Sequence, residues 1–83
     1  MSDLTKKINL VGRLATLSKI VNFDNFYNVN VYVRKDEITL QGELNTETVL
    51  TAKRLGVILE YDNNMEMLKG ETEDRKLRIV LTV

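Results

Sequence analysis

The residues able to do chemistry in this sequence are carboxylates, lysines, hydroxyls and amides, because it contains neither cysteine nor histidine. That absence removes thiolate nucleophiles, the commonest transition-metal ligands and the side chain best suited to proton transfer near neutral pH. The clustered carboxylates form two groups, Asp36 with Glu37, and Glu71 with Glu73 and Asp74. Both groups fall in expected turns, where solvent leaves nothing to drive two carboxyl pKa values apart as acid–base work requires. The stretch Asp62-Asn63-Asn64-Met65-Glu66 offers oxygen ligands, without the spacing, central glycine and terminal glutamate of a calcium loop. Gly12, Gly42, Gly56 and Gly70 are isolated and make no phosphate-cradling loop. The reading is therefore of a non-enzyme with no catalytic residue, no metal ligand and no cofactor.

Binding is the remaining class of chemistry, and two surfaces are candidates. The first is apolar and aromatic: Leu10, Leu14 and Leu17, continued by Phe23, Phe26 and Tyr27, form the expected contact for a protein partner or a second copy of the chain. The second is basic: Tyr32, Arg34, Lys53, Arg54, Arg75, Lys76 and Arg78 are the residues with which a nucleic-acid-binding module would grip a strand. Lysine plus arginine number 12 and aspartate plus glutamate 12, so the net charge is zero. Phosphate-backbone affinity comes largely from counterion release by excess cations, and this balance ranks the basic surface as the alternative.

Periodicity supplies the elements that must position these residues. A helix is expected from about Asp3 to Val21, with Ser2 or Asp3 as its N-cap. It carries two apolar stripes at helical spacing, one of Leu4, Ile8, Val11 and Ala15, the other of Leu10, Leu14, Leu17 and Val21. Together they make a face wider than packing on one sheet requires. After a polar and aromatic connection the period changes to two. Val29, Val31 and Val33 alternate with Asn30, Tyr32 and Arg34; then Ile38, Leu40 and Leu44 alternate with Thr39, Gln41 and Glu43. Two such runs joined by a short polar turn predict a β-hairpin. Asn45 or Thr46 caps a second helix with Val49, Ala52 and Leu55 on its inner side, closed by Gly56.

Further strands are expected from Val57, Leu59 and Tyr61, from Met65 and Met67, and from a last run with Leu77, Ile79, Leu81 and Val83 inward. The last run is the most apolar and is assigned to the centre of the sheet. The order α-β-β-α-β-β-β, in one domain spanning residues 1–83, predicts an α+β fold of two layers. Both helices cover one face of a mainly antiparallel sheet.

The stretch Val31-Tyr32-Val33, Ile38-Thr39-Leu40-Gln41-Gly42, the following helix and Leu55-Gly56-Val57 resembles a BON domain over less than half of the chain. The resemblance implies phospholipid or partner binding; the remaining strands do not fit it, and it is not adopted. Hydrophobic residues at 43% and charged residues at 29% are ordinary for a globular protein and argue against disorder. No apolar run approaches the roughly 20 residues that span a bilayer. The mixed charges of Ser2 to Lys7, with no apolar core after them, are unlike a secretory signal. A cytoplasmic protein-binding or regulatory role is the leading expectation, of the kind that small accessory proteins of mobile elements serve.

Overall fold

The computed structural model describes residues 2–83. Helix α1 spans Asp3–Ser18 and α2 spans Thr46–Arg54; between and after them run β1 (Asn28–Tyr32), β2 (Glu37–Glu43), β3 (Glu60–Asp62), β4 (Met67–Glu71) and β5 (Leu77–Thr82). The five strands form one sheet in the order β1-β2-β5-β4-β3. Three of its pairings are antiparallel, and β2 with β5 is parallel. The expected α-β-β-α-β-β-β order and the central place of the last strand both hold.

Strand alternation decides which face is buried. Ile38 and Leu40 on β2 stand beside Leu77 and Ile79 on β5, and Leu81 follows at the position opposite Gly42. These side chains form one core with Leu10 of α1 and Ala52 and Val57 of the α2 region. Both helices therefore cover the same side of the sheet. Asn30, Thr39, Gln41, Arg78 and Lys69 alternate onto the other side.

Local chemistry sets the element ends. The Ser2 hydroxyl accepts the Thr5 amide at 3.2 Å and starts α1. The helix stops at Ser18, three residues short of the expected Val21. The amides of Ile20 and Val21 both donate to the Leu17 carbonyl, and this tight turn drops Val21 into the core. A capping box starts α2: the Asn45 side chain accepts the Thr48 amide at 3.0 Å, and the Thr48 hydroxyl accepts the Asn45 amide at 3.1 Å. Thr48 is fully buried, and its hydroxyl donates to the Glu43 carbonyl at 2.6 Å. The inner side of α2 is thus Thr48, Thr51 and Ala52, while Val49, expected there, is exposed. The helix ends in a Schellman motif with Gly56 at φ 76°: the Gly56 amide reaches the Lys53 carbonyl and the Val57 amide reaches the Ala52 carbonyl.

The strand expected from Val57 begins only at Glu60. Residues 57–59 cross over β4, close enough that a Cβ at Gly70 would overlap the Ile58 carbonyl oxygen. The strand expected from Met65 begins at Met67, since Met65 belongs to the turn. Met67 pairs with Thr82 on the open face, so the inward residue of β4 is Leu68.

Candidate functional site

Helix α1 is where the two apolar stripes part company. At about 100° per residue, the stripe of Leu4, Ile8, Val11 and Ala15 lies roughly 120° around the helix from Leu10, Leu14 and Leu17. The structure docks the second stripe. Leu10 is 1% exposed, and Leu14 and Leu17 pack against the same core. Arg13 fixes the helix rotation from beside that stripe. Its guanidinium donates to Asp36 in the β1–β2 turn, at 2.6 Å to Oδ1 and 3.0 Å to the backbone carbonyl.

The first stripe is left in solvent. Leu4 is 68% exposed, Ile8 63% and Val11 65%, with Ala15 exposed beside them. No residue of α1 before Leu10 is buried, so the first two turns extend past the layer that supports the rest of the helix. Such short helical turns gain most of their stability from packing, and here Leu4 and Ile8 stay about two-thirds exposed. A Cβ placed at Gly12, next to this stripe, would meet nothing within 4 Å, so no packing inside the chain accounts for a glycine there.

The structure places the six residues of the apolar contact expected from sequence in different surroundings. Leu10 and Phe26 are core residues, and Leu14, Leu17 and Phe23 pack against the core. Phe26 lies on Gly42, where an added Cβ would stand 2.9 Å from its ring. Leu10 and Phe26 are taken up wholly in holding α1 and the following turn onto the sheet, whereas Leu14, Leu17 and Phe23 are half-buried and keep part of their surface in solvent. Of the six expected residues only Tyr27 is exposed. The residues that sequence reasoning passes over are Leu4, Ile8 and Val11. Their stripe is visible in the sequence, and the missing signal is which of two adjacent stripes the core takes.

The structure divides the seven basic-surface residues. Tyr32 and Arg34 lie at the β1–β2 end, and the Lys35 ammonium stands 5.5 Å from the Tyr32 ring centre. Lys53 and Arg54 close α2, in the helical layer. Arg75 and Lys76 occupy the β4–β5 turn, where Arg75 pairs with Glu71 at 3.5 Å and Lys76 with Asp36 at 3.7 Å. Arg78 points from β5 to the open face, opposite the helices, in register with Thr39 and Glu71. Lys53 and Arg54 are therefore not on the face that carries Arg78.

The open face is a polar sheet surface. The Gln41 side-chain oxygen accepts from Asn28 at 3.0 Å and Asn30 at 3.2 Å, and the Thr39 hydroxyl donates to Glu37 at 2.8 Å. An open groove of about 570 Å³ lies along β4, lined by Ile58, Glu60, Lys69, Gly70, Glu71 and Arg78. Two carboxyls have displaced pKa values, and both are lowered. The Lys69 ammonium and the Met65 amide hold Asp62 down, and the Thr72 hydroxyl and the Lys76 amide do the same for Asp74. Both therefore stay ionised at neutral pH, whereas a general acid needs the opposite displacement. Among the described residues no three acidic side chains converge to hold a metal ion, and no helix is long and apolar enough to cross a membrane.

No protein-family model matches the chain, and comparison with curated proteins and with solved structures finds no match.

Proposed function

We propose that this is a non-enzymatic protein-binding protein whose contact face is the outer stripe of α1. One observation carries the reading: Leu4, Ile8 and Val11 are each about two-thirds exposed, in line along a helix whose other apolar stripe already satisfies the core. A scattered exposed leucine needs no explanation, but an aligned apolar strip on a small surface is the usual mark of an interaction site. Arg13 and Leu10 hold the C-terminal half of α1 against the sheet, so the Val11 end of the strip is anchored while the Leu4 end is free to adjust to a partner.

The test is differential capture. Immobilised wild-type protein and an Ile8→Lys variant are exposed to the same nuclease-treated extract. The expected result is one stoichiometric protein species held by wild type and lost from the variant. Recovery of nucleic acid before nuclease treatment, weakened by salt and by Arg78→Glu and indifferent to Ile8→Lys, would overturn the reading in favour of the basic open face.

A further inference from the structure

Resting on that reading of the α1 face, we infer that its occupant is the α1 of a second copy of this chain, packed antiparallel. The spacing of Leu4, Ile8, Val11 and Ala15 is four, three and four residues, the alternation of an a/d seam that runs along one side of a helix. In an antiparallel pair, a positions meet d positions. The twofold axis then falls between Asn9 and Leu10 and sets Leu4 against Ala15 of the second copy and Ile8 against Val11. Each layer joins a larger side chain to a smaller one, so the seam has even thickness along its length. A parallel pair would instead set Leu4 against Leu4 and Ala15 against Ala15, wide at one end and void at the other.

The unsupported turns argue for the same arrangement. The chain leaves the first two turns of α1 without a buried residue, while the sheet supports the later turns. Antiparallel pairing lays each free end along the supported half of the other copy, and it opposes the two helix dipoles. Gly12 lies on the flank of the seam and is surrounded by open space, so it lets the second backbone approach closely on that side. On the other flank Lys7 reaches across toward Leu14 of the second copy, its aliphatic stem covering apolar surface.

The area is that of a weak interface. The strip presents roughly 300–400 Å² of apolar surface per copy, comparable to the largest patch on an ordinary monomer. Two strips with their rims bury about 1,000 Å² in all, the lower bound of a specific interface, so a weak, concentration-dependent dimer is expected.

The experiment is sedimentation velocity on the full chain from about 1 µM to about 1 mM. Wild type is expected to pass from monomer to dimer across that range. Ile8→Lys and Val11→Lys, each placing two charges in a symmetric interface, are expected to weaken the dimer about 100-fold or more with unchanged circular dichroism. Orientation is read by disulfide trapping, which is clean because the chain has no cysteine of its own. Mixing Leu4→Cys with Ala15→Cys protein is expected to give the mixed disulfide in excess over either symmetric one. A wild type that stays monomeric throughout, a dimer indifferent to both lysine variants, or a predominance of disulfides joining two copies of the Leu4→Cys protein would each overturn the inference. A monomeric wild type that still captures a foreign protein through Ile8 would overturn self-pairing alone, whereas loss of both behaviours removes the broader reading too.

Discussion

An alanine at position 70 would drive its Cβ into the carbonyl oxygen of Ile58, backbone that the Val57 anchor holds in place. Gly70→Ala is therefore expected to cost roughly 1–3 kcal/mol, read as a lower midpoint in urea. Asp62 makes a different prediction. Its carboxylate lies 2.8 Å from the Lys69 ammonium and accepts the Asn64 and Met65 amides, and its pKa is lowered as a result. Because the folded pKa is depressed, the carboxylate stabilises the β3–β4 turn at neutral pH. That contribution is lost as pH falls below the ordinary carboxyl value of about 4 and through the folded one. Urea midpoints measured at pH 7 and again in acid are expected to separate less for Asp62→Asn than for wild type. The direct contribution at this exposed pair is small.

At the scale of elements, the two stripes of α1 separate stability from recognition. Leu10→Ala is expected to destabilise by about 2–5 kcal/mol, since it empties a fully buried site. Ile8→Lys, at an exposed site, is expected to stay within about 0.5 kcal/mol of wild type in dilute solution. A urea series on the two variants checks both. Removing the α2 cap with Asn45→Ala is expected to cost about 1 kcal/mol, by the same measurement. The caps are also where the sequence is most legible. Asn45 and Gly56 announce a helix start and stop through short-range rules, and strict alternation announces β1, β2 and β5 with their inward faces. What cannot be read locally depends on contacts distant in the chain. The rotation of α1 is fixed by Arg13 on Asp36, and Phe26 is taken out of solvent by Gly42. The absence of pairing at 57–59 follows from the crossing over Gly70, which no local pattern encodes. The first two of those contacts explain why periodicity alone offers the core-bound stripe and Phe26 to a partner and passes over the free stripe.

For the whole molecule, the extension of α1 past its support predicts a concentration-dependent protection pattern. Amide hydrogen exchange at residues 5–9 is expected to be fast at low micromolar concentration and to slow as copies pair. Amides of β2 and β5 stay protected throughout. Exchange at residues 5–9 that does not change with concentration would remove helix pairing. The position of β5 has a further consequence, for how quickly the protein folds. Its partners β2 and β4 belong to two hairpins, β1–β2 and β3–β4, that touch each other nowhere in the sheet order. The parallel pairing brings Ile38 to Leu77 across roughly forty residues of chain, a loop that must close before the sheet exists as one object. Until β5 enters between them, each hairpin keeps a strand edge with unpaired backbone groups open to the wrong strand. The interval before that single insertion is therefore when this chain is most exposed to misassembly.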